Sequence, residues 1–254
     1  FCLFIMPHSV RVFSTREALA QSFAAMLIKD LDRIEPDHFY TIALSGGSTP
    51  EHIFRYLSEN YYDRISWEKL LVFWGDERCI APEDEESNYR MAYESLLQNV
   101  PIPDANVFRI RGEDDPAEEA RQYSDLVSSM VPEFRGVPQF DLMLLGLGSD
   151  GHTASIFPDR PDLLTSGQLY EVAMRPDRKQ KRITATARLI NNSSKIYFIV
   201  TGKDKATVVS KVLEGKSGSE LCPASRIMPG SGQLVWMLDT EAASLLKAEH
   251  KTPM

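Results

Sequence analysis

Residues 139–158 read QFDLMLLGLGSDGHTASIFP. The continuous apolar run Leu142–Leu145 reads as a buried strand of a parallel sheet, because such strands are covered on both faces and lack polar alternation. Gly146, Gly148 and Gly151 follow it. They let the chain leave the strand tightly and bring bare backbone N–H groups up to a ligand. Asp150 and His152 sit inside that turn. In open α/β sheets, ligands bind at the carboxyl ends of the strands. A carboxylate and an imidazole here stand where chemistry is expected.

Gly146-x-Gly148-x-x-Gly151 also satisfies the dinucleotide-binding pattern, and Glu171 lies 20 residues past Gly151, about where a ribose-binding acid would stand. The residues after the turn argue against that reading. A pyrophosphate needs a long helix whose N-terminus faces it. Pro158 and Pro161 interrupt the segment early, so any helix after Gly151 is short. An ionisable pair would also crowd the backbone that a pyrophosphate must approach.

Strand, turn and helix recur on either side. Phe39–Leu44 reads as a strand, SGGSTP at 45–50 as a glycine-rich turn, and Glu51–Glu59 as a helix. Glycine N–H groups, the Ser48 and Thr49 hydroxyls and a helix dipole would together cradle a phosphate. A tight turn with an N-cap explains the same residues, and both readings stay open. No Gly-Lys-Ser/Thr follows, so this is not a Walker-type loop. Leu70–Trp74 is another apolar strand. It ends in Gly75-Asp76-Glu77-Arg78, charges that belong either to the ligand edge of a sheet or to a solvated loop.

Four more segments read as helices: 15–34, 89–98, 116–131 and one reaching Leu213. The first is capped by Thr15 or Ser14 and carries Leu19, Phe23, Met26, Leu27 and Leu31 as one stripe. Ser87 caps the second, and Pro116 opens the third. Strands are expected at 107–110, 169–174, 182–187, 195–200 and 234–238, with a last helix at 240–248. Lys205 falls in the first turn of the helix ending at Leu213, where the dipole disfavours a cation. It therefore points to solvent or serves an anion. Strands and helices alternate without a repeat or a linker. This predicts an α/β fold of three layers, α/β/α, with a Rossmann-like, mostly parallel sheet covered by helices on both faces. It also predicts one domain over residues 10–248, with tails at 1–9 and 249–254.

Hydrophobic residues make up 43% and charged residues 25% of the 254, an ordinary soluble composition. The net charge of −8 comes from 28 basic and 36 acidic residues, with no basic block. Nucleic acid and membrane are not expected as partners. An anionic substrate would need a local cluster of Arg and Lys. Cys2, Cys79 and Cys222 are scattered and odd in number, which suits a reducing cytoplasm and suggests no zinc site or disulfide framework. The leading FCLFIM is apolar but too short to span a membrane, and it lacks the basic start of a signal peptide. Met6 is a candidate start, with the five residues before it an upstream extension.

Four segments, in order, carry a resemblance: SGGSTP (45–50), FWGDER with SNYRM (73–78 and 87–91), GLGSDGHTASIFP (146–158) and TGKDKA (201–206). Together they resemble the 6-phosphogluconolactonase family, within the wider glucosamine-6-phosphate isomerase/deaminase superfamily, from about residue 10 to about 240. In the deaminase branch, the motif after Asp-Gly-His continues to an acidic residue before a proline, and that acid assists the ring-opening histidine. This chain has Phe157 before Pro158, and a phenyl ring relays no proton. A sugar-phosphate sensor without turnover is a further use of this fold. Such regulators carry a DNA-binding module, and no basic helix-turn-helix-like segment precedes residue 39.

The resemblance implies hydrolysis of 6-phosphoglucono-δ-lactone to 6-phosphogluconate in the oxidative pentose phosphate pathway. No metal is expected, because the ester is activated and no ligand cluster is visible, and no cofactor is expected. Lactone hydrolysis needs a base for the attacking water and an acid for the ring oxygen. His152 is the candidate for both, since an imidazole titrates near neutrality. Asp150 either orients it or caps a short helix. Phosphate contacts are implied for Gly46, Gly47, Ser48, Thr49, Arg182 and Lys205, and sugar or pocket contacts for Asp76 and Arg78. The expected partner is a small sugar-phosphate lactone, and the chain is expected to be a monomer or small homo-oligomer.

Overall fold

The computed structural model describes residues 9–248 and 252–253. Cys2, the FCLFIM segment, the candidate start at Met6 and most of the C-terminal tail lie outside the described residues. The chain begins with β1 (Ser9–Phe13), α1 (Arg16–Leu31), β2 (Tyr40–Leu44), α2 (Ser48–Asn60), β3 (Leu70–Trp74) and β4 (Asp76–Arg78). Next come α3 (Asn88–Ser95), α4 (Pro116–Met130), the short strands β5 (Glu133–Phe134) and β6 (Val137–Pro138), and β7 (Leu142–Leu145). It continues through β8 (Tyr170–Met174), β9 (Lys181–Ala185), α5 (Ala187–Ile190), β10 (Lys195–Val200), α6 (Ala206–Leu213), β11 (Gln233–Asp239) and β12 (Thr252–Pro253).

Seven strands make one parallel sheet in the order β12–β1–β11–β10–β7–β2–β3. Every residue of β2, β3 and β7 is buried, so both faces are covered and the three-layer α/β/α expectation holds. The core includes a Phe198–Trp236 stack with centroids 4.0 Å apart, between neighbouring strands. Helix α1 is capped as the sequence suggests, with the Thr15 hydroxyl accepting from Ala18 N at 3.0 Å. From β2 the chain runs to β3 on one side, while from β7 it runs towards β10 on the other. The carboxyl ends of β2 and β7 thus flank a topological switch point, the usual crevice for a ligand in such sheets.

A second sheet, antiparallel in the order β4–β9–β8, stands at that same end. Its strand β4 is the Asp76-Glu77-Arg78 segment, which the sequence offered as the ligand edge of a sheet or a solvated loop, not as a strand. Several other expectations change. Val107–Ile110 is not a strand: Val107 makes a single bridge to Val72, and Phe108 N donates to Val72 O at 2.8 Å before the chain leaves. Residues 240–248 form hydrogen-bonded turns rather than a helix, with Ala243 N bonded to Asp239 O at 3.0 Å. No helix starts within residues 151–160, where a Thr153–Ile156 bridge closes the turn, and only a short 3-10 helix at Pro161–Leu164 comes before β8. Strand β1 has no counterpart in the sequence reading. Among the described residues, no helix is long and apolar enough to cross a membrane.

Candidate active site

The loops after β2, β3, β7 and β10 converge on a cavity of about 300 Å³. It is lined by Gly46 and Gly47 from the first loop, Asp76 and Arg78 from β4, and His152 from the third loop. Arg182 from β9 and Lys205 from the turn before α6 complete the set expected from the sequence. Ser48, Thr49 and Asp150 do not line it. Ser45, Asn88, Gly148, Ser149 and Ala154 do, and the sequence did not single out the first two. A wider hollow of about 630 Å³ lies beside Tyr89 and Arg109, but its arginine is already spent in a two-bond pair with Glu113.

His152 and Asp150 form a dyad. Asp150 Oδ1 lies 2.6 Å from His152 Nδ1 and also accepts His152 N at 3.0 Å. Burial pushes the Asp150 carboxyl up, but the hydrogen bonds from the His152 ring and backbone outweigh it and leave it below its ordinary value. No helix starts at this turn, so Asp150 has none to cap. The bond at Nδ1 leaves Nε2 as the free ring nitrogen. The imidazole also packs against Phe157, centroids 4.8 Å apart. Residue 157 therefore touches the histidine with a ring that carries no proton.

The turn is fastened at both ends. Thr153 Oγ1 donates to Gly146 O at 3.0 Å. Ser155 N donates to Thr184 Oγ1 at 3.0 Å, and Ser155 Oγ to Asp76 Oδ2 at 2.6 Å. Asp76 is thus a buried anchor between the two sheets. Asn88 Nδ2 donates to its backbone carbonyl at 2.8 Å. Glu77, also buried, accepts from Arg78 N, Asn88 N, Tyr89 N and Ser87 Oγ at 2.7–3.2 Å. Burial pushes its carboxyl up, against the pull of those N–H donors. It clamps β4 onto the start of α3.

Arg78 and Arg182 stand directly opposite each other on β4 and β9, a like-charge pairing that destabilises a sheet unless something compensates. Arg182 Nη1 is 4.0 Å from Asp76 Oδ2. Burial pulls the Arg182 guanidinium down from its ordinary value, Asp76 opposes that pull, and Arg78 adds to it. The Nε atoms of both arginines are buried with no hydrogen-bond partner among the described residues. Two guanidinium groups with an unpartnered Nε each, Lys205 and the nearby N-terminus of α2 give this crevice a cationic lining in an otherwise acidic chain, chemistry suited to an anion.

Residues 14–236 match the family described as glucosamine-6-phosphate isomerases/6-phosphogluconolactonase. A protein of Treponema pallidum named 6-phosphogluconolactonase is 44% identical over 195 residues, covering 76% of this chain and 80% of its own. One of Haemophilus influenzae with the same name is 37% identical over 211 residues, covering 83% and 89%. The crystal structure of 6-phosphogluconolactonase from Leishmania guyanensis superposes with a TM-score of 0.84 at 27% identity, over 96% of this chain and 100% of that one. With its glycine-rich loop, its Asp-Gly-His turn and its cationic crevice in one fold, the chain belongs to the glucosamine-6-phosphate isomerase/6-phosphogluconolactonase family.

Proposed function

We propose that this chain is a 6-phosphogluconolactonase in which His152 activates the attacking water. The reaction is hydrolysis of 6-phosphoglucono-δ-lactone to 6-phosphogluconate, a step of the oxidative pentose phosphate pathway. Nε2 of His152 takes a proton from water as the water oxygen bonds to the lactone carbonyl carbon. The tetrahedral intermediate then collapses, the bond to the ring oxygen breaks, and the imidazolium returns the proton to that oxygen. Asp150 holds the ring by Nδ1 and stabilises its charged form. Gly46, Gly47, Arg182 and Lys205 hold the phosphate, Arg78 meets sugar oxygens, and Asp76 keeps the pocket's shape. The observation that supports the reading best is the 2.6 Å Asp150–His152 pair facing a crevice rich in unmet cationic donors. The alternation of strands and helices without a linker supports one domain over residues 10–248, and the scattered, odd-numbered cysteines suit a reducing cytoplasm.

The family description covers isomerases as well as lactonases, so the fold alone does not choose between them. Phe157 favours the lactonase, because the side chain against His152 carries no proton. The test is turnover of two substrates. Freshly generated 6-phosphogluconolactone should decay well above its spontaneous rate, and glucosamine 6-phosphate should release no ammonia. Ammonia release without lactone decay would overturn the reading. Binding of both without turnover would make the chain a sensor.

A further inference from the structure

The resemblance implies a phosphate contact for Thr49, but in the structure its hydroxyl bonds Thr201. The two Oγ1 atoms are 2.8 Å apart. Neither residue lines the cavity, whereas Gly46, Gly47 and Lys205 do. Thr49 belongs to the first turn of α2, above β2, and Thr201 follows β10. Strands β2 and β10 are not neighbours; β7 and its Asp150–His152 turn rise between them. The hydroxyl pair therefore spans the catalytic strand and joins the loops on either side of it.

The far loop has a second hold. Gly202, at φ 100°, donates its N–H to both oxygens of Asp239 at 3.1 and 3.0 Å. Asp239 is buried at the end of β11, and Lys205 N bonds to Gly202 O at 3.1 Å. The backbone that carries Lys205 is thus gripped by β11 and by α2. A lysine ammonium is a point charge on a flexible stem and fixes no geometry by itself. The stance of its loop decides whether it meets the same anion as the Gly46 and Gly47 N–H groups.

We propose that Thr49 and Thr201 form a brace that sets the spacing of the two phosphate-holding loops, with Thr49 a positioning residue rather than a phosphate ligand. The proposal rests on the lactonase reading for its substrate. It is tested with Thr49→Val, Thr201→Val, the double variant and Thr49→Ser. Each valine variant should raise KM for the phosphorylated lactone about tenfold, with kcat held within about twofold, the usual effect of one lost positioning bond. On unphosphorylated gluconolactone both variants should match wild type. The double variant should be no worse than either single one, because both remove the same bond, and Thr49→Ser should restore KM. A raised KM in Thr49→Val alone, with Thr201→Val like wild type, would make Thr49 a direct ligand and overturn the brace. Additive effects, or equal losses on both lactones, would overturn it too. If wild type hydrolyses neither lactone, the lactonase reading fails. The same four variants are then compared by calorimetric affinity for inorganic phosphate, where the non-additive pattern supports the brace and its absence refutes it.

Discussion

A methyl group at position 148 would stand 2.1 Å from Nδ1 and 2.2 Å from Cε1 of His152, and 2.7 Å from Asp150 Oδ1. The glycine is bare because the dyad occupies the space a side chain would take. The spacing of Gly146, Gly148 and Gly151 was legible in the sequence, but for Gly148 the reason differs from backbone approach to a ligand. Gly148→Ala should push the imidazole aside and lower kcat/KM by about 100-fold or more. Its melting temperature should stay close to wild type, since Gly148 N still bonds His152 O at 2.9 Å; a near wild-type rate would show that the ring tolerates displacement. Asn88 and Ser45 were not legible as site residues. Asn88 lies 12 positions from Asp76 in sequence, and only Glu77 folding β4 against α3 brings it to the cavity. Thr49 was legible as part of a phosphate loop but not in its role, because its partner, Thr201, is 152 residues away.

Strand β3 closes one edge of the sheet, and its outer backbone groups need partners that no strand supplies. Phe108 N supplies one, to Val72 O at 2.8 Å, and Tyr123 and Tyr170 supply those of Trp74. Trp74 N donates to Tyr123 Oη at 3.0 Å, Tyr123 Oη donates to Phe108 O at 2.8 Å, and Tyr170 Oη donates to Trp74 O at 2.9 Å. These bonds tie α4 and the antiparallel sheet to the edge strand that leads into the site. Tyr123→Phe removes two of them and strands a buried N–H, so it should destabilise the fold by about 1–3 kcal/mol. Urea unfolding measures this, and unchanged stability would mean the edge is sealed otherwise. The buried strands were readable as continuous apolar runs, to the residue at Leu70–Trp74 and Lys195–Val200, and the amphipathic helices by their period. Asp76–Arg78 was not, because a three-residue strand carries no period and exists only by pairing with Lys181–Ala185. Residues 240–248 have helical composition but settle into turns around Asp239, whose carboxylate accepts Ala242 N at 2.7 Å.

At the scale of the molecule, alternating strands and helices foretold a parallel sheet with its chemistry at the carboxyl ends. Strand order was beyond such patterns, since it rests on pairings such as β1 with β11 that join opposite ends of the chain. That order creates the β2–β7 switch point and gathers Arg78, Arg182 and Lys205 into one crevice of a chain with net charge −8. The folded Asp150 carboxyl lies below its ordinary value. Its contribution to stability is therefore complete above the unfolded carboxylate range at ~4 and is lost as pH falls through the lower folded value.

The most direct measurement is the decay of freshly generated 6-phosphogluconolactone with wild type and with His152→Ala, at a pH where spontaneous hydrolysis is slow and corrected for it. The predicted result is fast decay with wild type, while His152→Ala folds normally and loses about 100-fold or more of that rate. A correctly folded His152→Ala variant that turns over the lactone at nearly the wild-type rate would contradict the central claim and remove His152 from the chemistry.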